Sequence, residues 1–570
     1  MIRSICYSVV MAFIISACSG GKKVIAPVQV NAYKYDIEKR VECSNGAVVS
    51  AHPLASEVGV AILKQGGNAI DAAIATQLAL AVVYPGAGNI GGGGFMVATL
   101  ANGKAISLDY REKASRNATR NMYLDSLGNA RTALSQYGHM AAGVPGTVAG
   151  LFLAHKHARL SFPSLIQPAI DLAEKGFVIT EAEARSLNSN QQDFLTYNTV
   201  IPVFVNAQKW KKGDTLVQSN LAATLKRIRD FGQKGFYEGE TAKLVVEEMK
   251  RGKGIIDLTD LKNYSAKKRK PVVFDYKGYK IITMPLPSSG GILLPQMMNM
   301  IADRDIKKHG FHHWQTVQLM TEIERRAYAD RAKFLGDIDF YKVPVKKLIS
   351  KEYAIERMKD YREDKAGNST DIQAGLIAES DQTTHLSVYD KEGNAVAVTT
   401  TLNGGYGSST VVGGAGFLLN NEMDDFSVKP GVPNMYGAVG ADANAIAPGK
   451  RMLSSMTPTI VLKDNKPYII VGTPGGTTIP TSVFQTLINI LEFNLTATDA
   501  VNKPKFHHQW LPDEIRVESD FPADVQKKLQ QMGYQVRQAG QIGRTELIII
   551  KDGKIEAVAD KRGDDHAAGY

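Results

Sequence analysis

The sequence predicts an α+β fold in which helices cover stacked, mostly antiparallel sheets. Three pairs of apolar, β-branched segments in the C-terminal third flank short polar turns at 390–394, 463–466 and 551–554, so each pair is predicted to be a β-hairpin. We therefore expect the C-terminal third to form a mostly antiparallel sheet. Apolar residues recur at helical spacing in segments before and between these hairpins. Helices that alternate with hairpins favour layers of helix packed on sheet. The predicted helices lie at 240–251, 314–335, 352–362, 480–493 and 522–532.

Residues 54–83 form the N-terminal part of the predicted helical layer. They alternate apolar and small residues at helical spacing, and Gly66-Gly67 interrupts the pattern. Asn68 is a residue type that caps helices, so we expect a second helix to begin directly after it. Because this second helix is rich in alanine, we expect it to pack closely in a buried layer.

The N-terminus is typical of an export signal. A positive residue precedes an apolar run at 9–15, which is too short to span a bilayer as a mature helix. The run ends in Ile-Ser-Ala-Cys, which resembles the lipobox of bacterial lipoproteins, whose cysteine becomes the acylated mature N-terminus. We therefore expect a signal peptide at 1–17, a lipid on Cys18, a tether at 18–31, and a periplasmic or cell-envelope location with membrane attachment only through the lipid. The alternative is a plain secretory peptide cleaved after Ala17 or nearby.

Composition and charge exclude several classes of protein. The 570 residues are 44% hydrophobic and 22% charged, which excludes a disordered, collagenous or disulfide-scaffold chain. The net charge of +10 is spread along the chain without an arginine-rich tract, so no nucleic-acid partner is predicted. Of the three cysteines, only Cys43 would remain for disulfide chemistry after processing, so no intrachain disulfide is expected.

Thr383 is the most informative single residue, because it begins the first strand of the first predicted hairpin. If the loop of that hairpin is 391–393, Thr383 lies opposite Thr401, within reach of a hydroxyl–hydroxyl hydrogen bond. A two-residue loop at 392–393 would shift the register by one residue and separate the two threonines. The register is therefore a geometric indication of a paired-threonine site.

A threonine hydroxyl is a poor nucleophile unless a base lies beside it. One solution is to make the threonine a chain terminus, so that its own α-amine serves as the base. The β-branch of threonine restricts χ1 and holds the hydroxyl in one direction. Cleavage of the Gln382–Thr383 bond would generate such a residue, although a threonine pair at a strand start is also what ordinary β-propensity produces.

Three polar segments further along the chain supply other candidate site residues. The acidic run at 420–426 carries Glu422 and Asp425, which can bind a substrate ammonium, although a solvated loop has the same composition. The segment 448–458 carries paired serines that can donate hydrogen bonds to a carboxylate. Gly475-Gly476 follows a predicted strand and precedes a predicted helix, so its N–H groups can form an oxyanion hole, although Pro-Gly-Gly is often only a turn.

In their order along the chain, these segments resemble the γ-glutamyltransferases (γ-glutamyl transpeptidases, glutathione hydrolases), a family of N-terminal-nucleophile hydrolases. The resemblance covers essentially the whole mature chain. It implies a four-layer αββα sandwich formed jointly by two subunits from one precursor, with a large subunit at 32–382 and a small catalytic subunit at 383–570 that pair as a heterodimer. The segments that carry the resemblance are 108–112, 143–150, 383–385, 421–426, 453–456, 474–476 and 568–570.

The resemblance also implies a role for each candidate residue. Cleavage between Gln382 and Thr383 frees the Thr383 amine as the base beside its nucleophilic hydroxyl, and Thr401 hydrogen-bonds this group. Gly475 and Gly476 form the oxyanion hole. The other implied ligands are Arg111, Ser454 and Ser455 for the α-carboxylate of the γ-glutamyl group, and Asn403, Glu422 and Asp425 for its α-ammonium.

The implied activity is hydrolysis and transfer of γ-glutamyl groups. Glutathione and related amides would acylate Thr383, and water, an amino acid or a dipeptide would accept the γ-glutamyl group. No cofactor or metal ion is expected. The pair His507-His508 is interpreted as packing, because adjacent residues on a strand face opposite ways. The Gly/Pro-rich segment 429–451 resembles the lid loop of bacterial transpeptidases, with Tyr436 as the gating aromatic, and the alternative is a surface excursion.

Two other functions fit the same scaffold. A cephalosporin or glutaryl acylase would not need ammonium-binding carboxylates, because its substrates lack that amine, so the presence of Glu422 and Asp425 argues against it. An inactive, lipid-anchored binding protein would not need the intact set of Thr383, Thr401 and Arg111. We therefore expect a self-cleaving γ-glutamyl hydrolase and transferase.

Overall fold

Two antiparallel sheets of seven strands each form the centre of the protein in the part of the chain that the computed structural model describes. The described residues are 22–372, 383–429 and 441–570. The predictions for Cys18, Gln382 and Tyr436, and for the signal peptide, lie outside the described residues.

The first sheet, called sheet I, is built around the hairpin that follows Thr383. The two strands of this hairpin are central, with Ala47–Ser50 on one side and Gly93–Thr99 on the other. All neighbouring strands pair antiparallel. In spatial order the strands of sheet I are His566–Gly569, Ala47–Ser50, Thr384–Tyr389, Ala395–Thr401, Gly93–Thr99, Ala105–Asp109 and Lys267–Arg269.

The second sheet, called sheet II, contains the other two predicted hairpins side by side. Its neighbouring strands also pair antiparallel. In spatial order the strands of sheet II are Arg40–Cys43, Lys554–Val558, Glu546–Lys551, Lys466–Gly472, Thr459–Lys463, Tyr279–Thr283 and Val272–Tyr276.

The two sheets pack face to face through their apolar side chains. Val49, Phe95 and Ala397 of sheet I join Ile460 and Ile470 of sheet II in one buried cluster. Successive residues of a strand point to opposite faces of the sheet. Leu386, Val388, Val396 and Val398 accordingly belong to a different cluster, with the helices on the outer face of sheet I.

Helices cover the outer faces of both sheets and complete four layers. Pro53–Lys64 and Ala69–Val83 pack on sheet I, whereas Gly290–Ala302, Trp314–Phe334 and Thr478–Leu491 pack on sheet II. The predicted αββα sandwich is therefore confirmed.

The remaining helices complete the fold, and some of them, such as Phe162–Lys175, belong to the same buried cluster as Ala69–Val83. Among the described residues, no helix combines the length and the apolar character needed to cross a membrane. These helices are Ala133–Gln136, Thr147–His155, Phe162–Lys175, Glu181–Ser189, Gln191–Thr196, Ser219–Phe231, Lys234–Tyr237, Gly239–Gly252, Leu258–Lys262, Val345–Leu348, Lys351–Arg357, Ala497–Asn502 and Ala523–Gln531, with 3₁₀ turns at His139–Ala141, Ile306–Lys308, Glu422–Asp425 and Asp442–Asn444. Short strands at Phe177–Val178, Thr215–Leu216, Phe506–His507, Ile515–Val517 and Val536–Gln538 form two small sheets.

The helix break predicted at Gly66-Gly67 is confirmed, and Asn68 caps the second helix. The Asn68 side chain accepts hydrogen bonds from the Ile70 and Asp71 amides, each at 3.0 Å, and the Asp71 carboxylate accepts from the Asn68 amide at 2.9 Å. This reciprocal capping box satisfies amides that the first helical turn leaves without partners. All residues of the second helix are buried, as its alanine content predicted.

Two expectations are corrected in detail. The helix predicted at 352–362 ends at Arg357, whose carbonyl accepts a hydrogen bond from the Arg326 side chain at 2.8 Å. The three C-terminal hairpins form and do not build a sheet of their own. One lies in sheet I and two lie in sheet II, and strands from before residue 373 flank them in both sheets.

Candidate active site

Thr383 lies directly before a central strand of sheet I, and the predicted hairpin register is confirmed. Thr384 pairs with Thr400, which places Thr383 opposite Thr401. The Thr383 hydroxyl donates a hydrogen bond to Thr401 Oγ1 at 3.3 Å, and Thr401 Oγ1 also accepts from the Asn403 amide at 2.8 Å. Thr383 is 8% exposed. The nucleophile candidate is therefore held by a side chain that is itself fixed by the backbone.

Asn403 links this strand end to the acidic turn Glu422–Asp425. It has a positive φ of 74°, which asparagine tolerates better than most residues. Its side-chain amide donates to the Asn421 carbonyl at 3.1 Å, and the Asn421 side chain accepts from the Gly404 amide at 2.7 Å. The structure thus brings together the three residues that the sequence assigned to the substrate ammonium.

Arg111 follows the strand Ala105–Asp109 and is 1% exposed. Its guanidinium forms ion pairs with both Glu422 and Asp425, and it donates to the carbonyls of Met452 at 3.3 Å and Leu453 at 3.2 Å. The residues predicted to hold opposite ends of the substrate therefore contact each other directly. The pairing offsets part of the cost of burying three charges.

Glu112 is a further buried acid at this point, and the sequence reasoning did not single it out. Its carboxylate lies 3.5 Å from the Arg111 guanidinium, and its side chain is fully buried. Burial raises the pKa of Glu112 to about 8, although Arg111 favours the charged form. This raised pKa favours the protonated form of Glu112 near pH 7, beside the paired charges of Arg111, Glu422 and Asp425.

Ser454 and Ser455 are held by the segment that leads into the helix Gly290–Ala302. The Ser454 amide donates to the Pro287 carbonyl at 2.8 Å, and the Ser454 carbonyl accepts from the Ser289 amide at 2.6 Å. Arg331 then donates to the hydroxyls of both Ser289 and Ser455, each at 2.9 Å. Both predicted serines are thus fixed next to Met452 and Leu453, the carbonyl acceptors of Arg111.

Arg331 is the second residue that the sequence reasoning missed. It belongs to the helix Trp314–Phe334 and is 2% exposed. Its position inside a charged helical segment resembles a solvated face, so nothing in the local pattern marks it as buried. A guanidinium that donates to Ser455 Oγ leaves the serine hydroxyl proton available for a ligand carboxylate.

Gly475 and Gly476 form the turn between the strand Lys466–Gly472 and the helix Thr478–Leu491. Their φ angles are 132° and 56°, and a Cβ on Gly475 would lie 2.3 Å from Thr478 Oγ1. Within the described residues, neither glycine N–H has a hydrogen-bond acceptor. These N–H groups precede the helix N-terminus, where the backbone dipoles favour negative charge, so the turn is suited to an oxyanion.

A cavity of about 880 Å³ is lined by both Thr383 and Gly475, which places the nucleophile candidate and the oxyanion turn on one surface. Tyr84, Arg516 and Arg544 also line it. This cavity is not lined by the residues that were assigned to the charged ends of the substrate, which are Arg111, Asn403, Glu422, Asp425, Ser454 and Ser455.

His507 and His508 take part in local hydrogen bonding. His507 bonds Thr481 Oγ1 and Gln509, each at 2.8 Å, and burial lowers its pKa to about 3. The His508 ring lies 3.2 Å from Asp513, and burial lowers its pKa to about 4. In the described ranges, no group of three or more His, Cys, Asp or Glu is placed to hold a metal ion.

The four-layer fold and a threonine at the head of a central strand, in one cavity with the Gly475 turn, define an N-terminal-nucleophile hydrolase. The family model Gamma-glutamyltranspeptidase matches residues 55–570. The chain belongs to the γ-glutamyltranspeptidase family.

Individual relatives agree with this assignment. The glutathione hydrolase proenzyme of Escherichia coli (strain K12) is 46% identical over 552 residues, which cover 96% of this chain and 95% of that protein. The crystal structure of Helicobacter pylori gamma-glutamyltranspeptidase matches with a TM-score of 0.56 and 44% identity, over 61% of this chain and 97% of that chain. The crystal structure of cephalosporin acylase from Bacillus halodurans matches with a TM-score of 0.82 and 26% identity, over 96% and 99% of the two chains.

Proposed function

We propose that this protein is a self-cleaving γ-glutamyl hydrolase and transferase that acts on glutathione and related γ-glutamyl amides. The observation that carries the proposal is the 3.3 Å hydrogen bond between the Thr383 and Thr401 hydroxyls at the head of the central strand. The name of the Escherichia coli relative, a glutathione hydrolase proenzyme, supports both the substrate and the precursor form.

Self-cleavage would use the Thr383 hydroxyl. Its Oγ attacks the carbonyl carbon of Gln382, the C–N bond between the two residues breaks, and the amine takes the hydroxyl proton. Water then hydrolyses the resulting ester and frees the Gln382 carboxylate, the Thr383 hydroxyl and the Thr383 amine. Both sheets contain strands from before and from after the cut, which supports a heterodimer whose two chains stay joined.

Substrate binding would replace the internal ion pairs of Arg111. The α-carboxylate of the γ-glutamyl group binds Arg111 and the paired serines Ser454 and Ser455, which can donate to it. The α-ammonium binds Glu422 and Asp425, together with the side chain of Asn403. The guanidinium at one end and the two carboxylates at the other match a zwitterion and fix its orientation.

Turnover follows from that orientation. Thr383 Oγ attacks the γ-carbonyl carbon while the Thr383 amine takes its proton, and the oxyanion is stabilised by the N–H groups of Gly475 and Gly476. The amide C–N bond then breaks, the leaving amine takes the proton, and a γ-glutamyl ester remains on Thr383. Water or the amine of an amino acid or dipeptide attacks this ester and regenerates the hydroxyl.

The test compares the wild-type protein, expressed without its signal, with Thr383→Ala and Thr383→Ser. We expect the wild type to give two fragments on a denaturing gel and to hydrolyse γ-glutamyl p-nitroanilide. Thr383→Ala should remain one chain without turnover, whereas Thr383→Ser retains a hydroxyl and an amine and should keep part of both reactions. A wild type that stays uncleaved and inactive would overturn the proposal, and faster turnover of glutaryl p-nitroanilide would indicate an acylase instead.

We also propose export with a lipid anchor on Cys18. The apolar run at 9–15 and the lipobox-like sequence that follows it support this location. Cells that express the full chain should incorporate a labelled fatty acid into the protein, and Cys18→Ser should abolish the label. Release of unlabelled wild-type protein would support the plain secretory peptide.

A further inference from the structure

The 880 Å³ cavity beside Thr383 contains a cation that the proposed function has not used. Arg516 lines this cavity from the short strand Ile515–Val517, and its side chain is half-buried. In the described part of the chain, no carboxylate lies within ion-pair distance of its guanidinium, and no hydrogen bond is made by it. A partly desolvated guanidinium without a counterion is suited to an anionic ligand.

The other two arginines of the cavity wall are already neutralised. The Arg544 guanidinium lies 2.9 Å from the Asp565 carboxylate and donates to the Tyr84 hydroxyl at 2.6 Å. Arg562 forms ion pairs with Glu518 and Asp560. Arg516 is therefore the cation of this wall, among the described residues, that can accept a ligand anion without breaking an internal ion pair.

The acids of the cavity wall, which are Glu183, Asp193 and Asp564, form no ion pair with Arg516 either. Glu183 lies 3.2 Å from the ring of His52, and its carboxylate accepts a hydrogen bond from the Thr180 amide at 2.7 Å. Asp564 accepts a hydrogen bond from the Thr180 hydroxyl at 2.6 Å. A cavity with acids in one part and Arg516 in another is complementary to a zwitterion such as a short peptide.

The wall that carries Arg516 is continuous with the oxyanion turn. Gly543 lines the cavity, and its Cα would lie 3.3 Å from a Cβ placed on Gly475. The next residue, Arg544, donates its backbone amide to Thr473 Oγ1 at 2.7 Å, at the start of that turn. Thr383, Gly475 and Arg516 therefore line one continuous cavity, which can hold a ligand next to the Thr383 ester.

We propose that this cavity is the subsite for the leaving peptide and for the acceptor peptide, and that Arg516 binds their free C-terminal carboxylate. The inference rests on the proposed function. In transfer, the neutral acceptor amine attacks the ester carbonyl, an amide C–N bond forms, and the C–O bond to Thr383 breaks. The proton from the acceptor nitrogen passes through the Thr383 amine to the Thr383 hydroxyl.

The test uses Arg516→Gln, Arg516→Lys and the matched control Arg537→Gln. Arg537 is the register partner of Arg516 on the neighbouring strand, is exposed, and does not line the cavity. Three reactions are measured: hydrolysis of γ-glutamyl p-nitroanilide, whose leaving group has no carboxylate; hydrolysis of glutathione; and transfer from the anilide to a dipeptide or to its C-terminal amide.

We expect Arg516→Gln to be cleaved into two fragments and to hydrolyse the anilide within about twofold of the wild type, because no contact to the anilide is lost. The KM for glutathione and for the dipeptide acceptor should rise about 10- to 100-fold, the range of one charge-assisted hydrogen bond. Arg516→Lys should give KM values between those of the wild type and Arg516→Gln, and Arg537→Gln should give the wild-type KM values. The dipeptide amide should show no difference between the wild type and Arg516→Gln.

Unchanged KM values for glutathione and the dipeptide in Arg516→Gln would overturn this assignment, and so would an equal loss with the dipeptide amide. Both results leave the proposed function standing, because the wild type still hydrolyses the anilide. A wild type without anilide turnover overturns the proposed function and this assignment together.

Discussion

The hydroxyl of Thr401 gives the most direct test of the site, and Thr401→Val removes it with little change of shape. This hydroxyl accepts from Thr383 Oγ1 at 3.3 Å and from the Asn403 amide at 2.8 Å. The substitution therefore removes the hydrogen-bond acceptor of the Thr383 hydroxyl and one acceptor of the buried Asn403 amide. Two separate consequences are expected, one for stability and one for turnover.

The two magnitudes follow from the hydrogen bonds that are lost. A buried N–H that loses its acceptor costs about 1–3 kcal/mol, so the free energy of unfolding should fall by that amount. The bond to the Thr383 hydroxyl is worth about 0.5–1.5 kcal/mol, which corresponds to a roughly 2- to 10-fold loss of kcat for γ-glutamyl p-nitroanilide. Displacement of Asn403 should also raise KM, because its side chain is assigned to the substrate ammonium.

The assay combines denaturant unfolding, fragment yield on a denaturing gel, and anilide kinetics. Thr401→Ser retains the hydroxyl and should stay close to the wild type. Thr399→Val is the matched control, since Thr399 lies on the same face of the same strand and bonds His385 at 2.8 Å instead of Thr383. Wild-type kcat in Thr401→Val would refute the reasoning, and an equal loss in Thr399→Val would show that only the stability of the strand matters.

Three further predictions concern the groups around the nucleophile. Gly475→Ala places a Cβ 2.3 Å from Thr478 Oγ1 and should displace the oxyanion donors, so kcat should fall about 100- to 1000-fold while inhibitor binding at the donor site persists. Because burial raises the pKa of Glu112 from 4.5 to about 8, the folded protein binds this proton more tightly than the unfolded chain, and stability declines as pH rises through that window. The Tm of Glu112→Gln minus the Tm of the wild type should therefore increase between about pH 4.5 and pH 8, because only the wild type loses stability in this range. A difference in Tm that does not change with pH would contradict a neutral carboxyl. Arg331→Met should raise KM for the anilide about 10-fold in the wild-type background and have little effect in Ser455→Ala, because Arg331 acts on the substrate carboxylate through its hydrogen bond to Ser455; additive losses would contradict that coupling.

Local chemistry made much of the fold predictable. The polar turn at 391–393 sets the register of its hairpin, and that register alone places Thr383 opposite Thr401. Asn68 marks a helix start because its side chain can replace missing backbone acceptors. These features depend on residues that are close in the sequence, so they can be predicted from a single sequence.

The order of strands in the sheets depends on distant parts of the chain and was not predictable in the same way. Nothing local to Ala47–Ser50 or Gly93–Thr99 shows that these strands flank the catalytic hairpin. Arg331 and Glu112 were missed for a related reason, since a charged residue next to other charged residues resembles a solvated surface. Their burial depends on which layers close over them.

The ion pairs of Arg111 show how such a site can select its substrate. In the structure this arginine contacts Glu422 and Asp425, which are the acids assigned to the substrate ammonium. A γ-glutamyl end brings a carboxylate for the arginine and an ammonium for the acids, so every buried charge is paired before and after binding. A glutaryl end brings only the carboxylate, and removing one partner from a buried pair costs about 3–5 kcal/mol. The preference for a γ-glutamyl over a glutaryl donor can therefore arise from ion pairs that already exist in the absence of substrate.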